Sequence, residues 1–200
     1  MKDTGQGPSD AELMQRFGGG DDEAFRRLVE RHENALLGYF WRRCLDRALA
    51  EDCVQEVFLR LVRHRGSWRP DAKFTTYLYR IAENHWIDRY RSRKSAPSMA
   101  SLEGLTDPDE PGADAAFPAS LAEPSDRAAQ LELGEKIRRA VQRLTDDQRA
   151  VFALAEARGM RYEDIGQVLG IPVGTVKSRM HACVTRLREI LAEEGRDLLR

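Results

Sequence analysis

Thr175, Lys177, Ser178, Arg179 and His181 place hydroxyls, cations and an imidazole within two helical turns. Lysine and arginine neutralise phosphates, while hydroxyl, guanidinium and imidazole groups hydrogen-bond the edges of bases. A second group lies upstream, where Tyr77, Tyr79, Trp86 and Tyr90 interleave with Arg80, Arg89, Arg91, Arg93 and Lys94. Rings stack on any unpaired base and cations hold its backbone, so the mixture suits single-stranded nucleic acid. A helix burying several aromatics between two neighbours has the same composition, and the residues alone leave both readings open. Hydrolytic and redox patterns are missing from the sequence. The four histidines stand far apart without an HExxH spacing, and Gly18-Gly19-Gly20 is not followed by the Gly-Lys-Ser/Thr of a phosphate loop. Cys44, Cys53 and Cys183 show no CxxC spacing, which suits thiols in a reducing compartment and implies neither a disulfide frame nor a zinc site.

The first group sits on the second of two helices predicted within Arg161–Leu191. Ile165, Val168 and Leu169 share one side of the first, which stops at Gly170; Pro172 is tolerated at the start of the next. Val176, Met180, Val184, Leu187 and Leu191 then repeat with a helical period, widened by Cys183 and Ile190. Two helices, a short glycine-containing corner and a basic leading edge form a helix-turn-helix that fits a major groove. An ordinary helical hairpin with a solvated basic face is the alternative. Upstream of this pair, a helix over about 128–144 carries Leu133, Ile137, Val141 and Leu144, and the capping box Thr145-Asp146-Asp147-Gln148 opens another.

The N-terminal half reads as four more helices. Ser9-Asp10-Ala11-Glu12 is a capping box for a short helix bearing Leu13, Met14 and Phe17. Asp21 or Asp22 caps a long helix with Phe25, Leu28, Val29, His32, Leu36, Tyr39 and Phe40 on one side, where His32 reads as a packed histidine. Leu49 to Val62 buries Val54, Val57, Phe58 and Leu61, leaving Glu51, Asp52, Gln55 and Glu56 on a charged face. After a loop containing Gly66, Trp68 and Pro70, a fourth helix runs from about Phe74 to Arg91.

Overall the 200 residues carry a formal net charge of −1, unlike the basic surplus expected of a nucleic-acid binder. The distribution explains this. Residues 1–94 hold 18 Lys/Arg against 15 Asp/Glu, and residues 127–200 hold 14 against 11. Between Ser95 and Asp126 stand seven acids and no base, in a stretch rich in Pro, Ala, Ser and Asp without helical period. Two mildly basic helical domains, 9–94 and 127–200, thus flank a flexible acidic linker, 95–126. The fold class is all-α. The polar N-terminus and the absence of a membrane-length apolar run predict no membrane insertion and a cytoplasmic chain.

Longer runs of sequence carry a resemblance. Tyr162-Glu163-Asp164-Ile165 and Leu169-Gly170-Ile171-Pro172-Val173-Gly174-Thr175-Val176-Lys177-Ser178-Arg179 resemble the C-terminal promoter-reading domain of sigma-70-family initiation factors, above all the extracytoplasmic-function (ECF) group. Ala50-Glu51-Asp52-Cys53-Val54-Gln55-Glu56-Val57-Phe58 is similar to that family's polymerase-docking segment, and Tyr77-Leu78-Tyr79-Arg80-Ile81-Ala82-Glu83-Asn84 to its promoter-melting helix. The resemblance implies a non-enzymatic, cofactor-free initiation factor that binds core RNA polymerase and promoter DNA and is often restrained by an anti-sigma factor. It implies polymerase contacts at Asp52, Gln55 and Glu56. It implies −10 contacts at Trp68, Tyr77, Arg80, Asn84, Trp86, Arg89 and Arg91, with the loop over about 65–73 holding a flipped base. It implies −35 contacts at Thr175, Lys177, Ser178, Arg179, His181 and Arg186, and a linker that threads polymerase's active-site cleft and RNA exit channel. An amide suits a base edge, and a polyanion suits a basic channel.

Two departures stand out. The family usually has Ser or Thr where this chain has Arg161, and such a cap is typically worth about 1 kcal/mol. Its alternating arginines after the Lys-Ser-Arg segment are replaced by Ala182, Cys183 and Val184, which predicts weaker, less salt-dependent binding at −35. A helix-turn-helix regulator with an N-terminal sensory domain, or a mimic that sequesters an initiation factor's regulators, are the rival functions. The sequence names neither the promoters, the inducing signal nor the anti-sigma partner, and gives no sign of acidified, exposed cysteines.

Overall fold

The computed structural model describes residues 7–70, 73–95, 127–157 and 159–197, and every regular element among them is an α-helix. In order these are α1 (Asp10–Gly18), α2 (Asp22–Cys44), α3 (Arg47–Arg63), α4 (Phe74–Ser95), α5 (Arg127–Gln142), α6 (Asp146–Glu156), α7 (Tyr162–Leu169) and α8 (Val173–Asp197). Beyond Ser95 the expected linker lies outside the described residues.

Helix starts follow from side-chain acceptors that satisfy otherwise unpaired backbone N–H groups. Ser9 and Glu12 form a complete capping box on α1, as Thr145 and Gln148 do on α6. Asp21 is the residue that caps α2, its carboxylate accepting from the Ala24 N–H at 3.1 Å. Helix α3 begins two residues earlier than its apolar period suggests, because Asp46 caps it through the Leu49 N–H. The expected weakness at Arg161 is present: α7 has no side-chain cap.

Helices α1–α4 enclose the first core. Phe17 stacks on Phe25 at 4.7 Å, and Phe25 meets Phe58 edge-on at 6.2 Å, so one row of rings ties α1 to α2 and α3. His32 is fully buried, with Nε2 2.8 Å from the Asp10 carboxylate and its ring against Phe74. It is the packing histidine expected, and it joins α1, α2 and the start of α4. That hydrogen bond, with Arg31 at 3.0 Å, holds the Asp10 carboxyl down at about 2.

The two halves of the chain pack against each other. Helix α7 lies along α4 and α6 along α2. Ile165 and Val168 of α7, and Val151 and Leu154 of α6, belong to the same continuous cluster of buried side chains as Phe74, Leu78 and Phe58. Hydrophobic period identifies which side of a helix is covered but is silent on what covers it.

Candidate nucleic-acid interface

The corner between α7 and α8 is built on backbone. Gly170 takes a left-handed φ of 66°, and both its N–H and that of Ile171 turn back to the Gly166 carbonyl. Gly166 is the less obvious requirement: a Cβ there would lie 2.9 Å from the Ile171 carbonyl oxygen. Helix α8 then starts under Pro172, whose carbonyl accepts from the Thr175 and Val176 N–H groups. Its core side is Val176, Cys183 and Ile190, all fully buried.

Away from that side, Lys177, Ser178 and His181 are exposed, and Thr175, Arg179 and Arg186 are half-buried along one flank. Ser178 Oγ donates to the Thr175 carbonyl at 3.0 Å. Arg179 reaches back 2.6 Å to Asp147 on α6, and Arg186 pairs with Glu189 at 3.2 Å. Both guanidiniums are thus held by carboxylates where a phosphate would otherwise compete. Of the three positions lacking arginines, Cys183 faces the core. A cation there would be buried, so only exposed Ala182 and half-buried Val184 represent lost surface charge.

Helix α4 separates its predicted contacts. Tyr77, Arg80, Asn84 and Arg91 recur at helical spacing on one side, with Arg80, Asn84 and Arg91 exposed and Tyr77 half-buried. The Tyr77 hydroxyl lies 3.1 Å from Ser67 Oγ, anchoring the loop that precedes the helix. Trp68 and Trp86 are not on this surface. They are 9% and 8% exposed and belong to the core, where Trp86 lies beneath the Arg43 guanidinium at 5.3 Å. In this arrangement neither indole offers a stacking face to a base. Arg89 faces elsewhere too, lining a cleft with Asp52, Gln55, Glu56, Leu59 and His85. Tyr90 is the exposed aromatic of the group, at 53%.

A buried polar cluster sets the rotation of α4. Glu83 is 5% exposed, accepts from the Tyr39 hydroxyl and lies 3.5 Å from Arg43 Nη2. Burial, reinforced by the Glu83 charge, pushes the Tyr39 phenol well above its ordinary range, so it stays a hydrogen-bond donor. Glu83 is pinned inward, and between buried Ala82, Glu83, His85 and Trp86 the side chain of Asn84 is the exposed one.

On α3, Asp52 and Gln55 are exposed, whereas Glu56 is half-buried and accepts from Arg60 at 3.1 Å and Arg63 at 3.4 Å. Leu59 and Val62, 50% and 38% exposed, continue the line of Asp52 and Gln55 along the helix. The sequence reading passed over them. Their signal was present: both fall off the buried stripe of Val54, Val57, Phe58 and Leu61. His85 in the adjoining cleft is held below its usual range by burial and then by Arg60.

Among the described residues no group of three or more His, Cys, Asp and Glu side chains is placed to hold a metal ion, and no helix is long and apolar enough to cross a membrane. Burial pushes the Cys44 and Cys183 thiols up to about 11, leaving little thiolate at neutral pH.

An all-α chain with an amphipathic helix bearing exposed Asp52 and Gln55, an aromatic-basic helix and a helix-turn-helix, in that order, defines a class, and two family models match it. Residues 28–96 match Sigma-70 region 2, and residues 134–187 match Sigma-70, region 4. The chain belongs to the ECF group of the sigma-70 family of RNA polymerase sigma factors. It is 34% identical to the sigma factor CarQ of Myxococcus xanthus over 90% of this chain and 96% of that one. It is 36% identical to the ECF sigma factor SigW of Bacillus subtilis (strain 168), covering 90% and 92%. Among solved structures, the sigma factor RpoE in complex with the anti-sigma factor NepR, from Bartonella quintana, superposes with a TM-score of 0.63 at 25% identity, covering 84% of this chain and 96% of that one. The protein is therefore a promoter-specific transcription initiation factor. A stand-alone regulator with a sensory domain does not account for a region 2 match across the N-terminal half.

Proposed function

We propose that the three activities of this initiation factor are divided among α3, α4 and α8. Asp52, Gln55 and Glu56 dock core RNA polymerase, joined by the exposed apolar pair Leu59 and Val62 and by Arg89 at the edge of the cleft. Tyr77, Arg80, Asn84 and Arg91 read the −10 strand as it is unpaired. Trp68 and Trp86 support that face from within. Thr175, Lys177, Ser178, Arg179, His181 and Arg186 enter the −35 major groove, where Arg179 exchanges Asp147 for DNA. The working modules are 9–94 and 127–200, joined by the acidic segment 95–126, whose seven carboxylates suit a channel built for RNA. The factor works in the cytoplasm and leaves catalysis to polymerase. As with RpoE and NepR, an anti-sigma protein is its expected antagonist.

The observation that carries this reading is the opposition of Glu83 and Asn84, one locked into the core and the other projected from the face bearing Arg80 and Arg91. The amide presents two donors and an acceptor oxygen to a base edge. Asn84→Ala should leave polymerase binding intact and reduce open-complex formation on a cognate promoter about tenfold, roughly 1.4 kcal/mol, the scale of one lost base contact. Unchanged opening would remove Asn84 from the reader. Reversing charge at Asp52 and Glu56 should weaken polymerase binding and leave helix content unaltered.

A further inference from the structure

The exposed side of α8 includes Ala182, which the proposed −35 contacts leave out. Cys183 beside it is fully buried and Val184 half-buried. Thr175, Ser178 and Ala182 follow one another at intervals of three and four residues, the spacing that places side chains on a single side of a helix. Ala182 also falls within the first three turns of α8, which starts at Val173, and the N-terminal turns of a recognition helix are those that meet base edges. Hydrogen-bonding groups around it are already engaged. Ser178 Oγ donates to the Thr175 carbonyl at 3.0 Å, so its proton is not offered to a base. Arg179, before Ala182, is held by Asp147 at 2.6 Å, and Arg186, one turn after it, by Glu189 at 3.2 Å. At Ala182 itself the helix presents a methyl group.

We infer that Ala182 is a specificity-determining residue of the −35 contact and selects a thymine through its C5 methyl group. A methyl on the protein neither donates nor accepts, so a polar base edge set against it loses water and gains no hydrogen bond. Among the four ordinary bases thymine alone brings a methyl into the major groove, and alanine set against that methyl buries two apolar groups at once. Its shortness admits the base pair close to the helix, where a longer side chain would hold the pair away. The contact carries no charge, so it alters which sequence is bound and leaves the salt dependence of binding as it was. The inference rests on the proposed −35 role of α8 and adds to it one residue and one base.

The test uses core polymerase reconstituted with the full chain. Duplexes randomised over the −35 element are offered to it, and the bound fraction is sequenced. Ala182→Arg should change base preference at one position, which in the wild-type selection carries thymine on one strand. Replacing that thymine by deoxyuridine removes the methyl group and nothing else. The replacement should weaken wild-type binding about three- to tenfold, the scale of one methyl group buried, with the slope of affinity against salt unchanged. It should make no difference to Ala182→Gly or Ala182→Gln, which lack the methyl. Glutamine is a good helix former, so that variant guards against a folding defect in the glycine one. The contact is overturned if the position altered by Ala182→Arg shows no thymine preference in the wild type. It is equally overturned if deoxyuridine there leaves wild-type binding unchanged, or weakens both variants as much as the wild type. Failure of the parent reading appears separately, as an unaltered −35 selection when Lys177→Ala and His181→Ala are combined.

Discussion

Glu83 and Asn84 are adjacent in sequence and opposite in environment, Glu83 held in the core together with Ala82, His85 and Trp86 while Asn84 is exposed. The Tyr39–Glu83–Arg43 cluster is desolvated, so each member depends on the others, and removing one partner of such a cluster typically costs about 3–5 kcal/mol. Glu83→Ala should therefore lower stability by about 3 kcal/mol and impair promoter opening as well, whereas Asn84→Ala should leave the unfolding midpoint within experimental error. Chemical denaturation of the two variants separates anchor from reader. Asp10 gives a second test at the same scale. His32 first, then Arg31, depress its folded-state pKa to about 2, so its stabilisation is full above the ordinary carboxylate range and is lost as pH falls towards 2. The shift corresponds to roughly 2 kcal/mol at neutral pH. Asp10→Asn should remove about that much at pH 7 and flatten the loss of stability between about pH 4 and pH 2, as followed by urea midpoints.

At the scale of helices, termini and stripes were legible because they depend on neighbours in the chain. Ser9-Glu12 and Thr145-Gln148 cap the helices they precede, and Gly170 closes α7 with a positive φ. Asp46 was missed as the cap of α3 because the first apolar residue of the period lies further along. The six-residue span from Gly166 to Ile171 posed a different problem. Its tight approach is a tertiary fact, invisible to helical period. Gly166→Ala would bring a methyl group 2.9 Å from a backbone oxygen, and overpacking of this kind costs about 1–3 kcal/mol. The expected outcome is a matching fall in stability together with weakened −35 duplex binding; a variant as stable as wild type would show that the corner relaxes freely. The aromatics of α4 and of the loop before it teach the same lesson. Trp68, Trp86 and Tyr90 look equivalent in sequence, but tertiary neighbours, Phe40 and Arg43 of α2 in the case of Trp86, determine that two are buried and Tyr90 is exposed.

For the whole molecule, charge and order conveyed more than shape. The basic, acidic, basic succession and the order of the segments that resemble sigma-factor motifs pointed to an initiation factor, and the family matches fall on both halves of the chain. The packing of α7 on α4 was not legible, because surface polar residues such as Lys73, Arg80 and Asp164 carry no mark of which partner they meet. The most direct measurement is transcription from a library of randomised upstream DNA by core polymerase reconstituted with this chain, with start sites mapped by sequencing. The account predicts transcripts downstream of two conserved elements at a fixed spacing. It further predicts that Asn84→Ala changes base preference in the −10 element alone and Arg179→Ala in the −35 element alone. No factor-dependent transcripts, or the same shift in both elements from either variant, would contradict it.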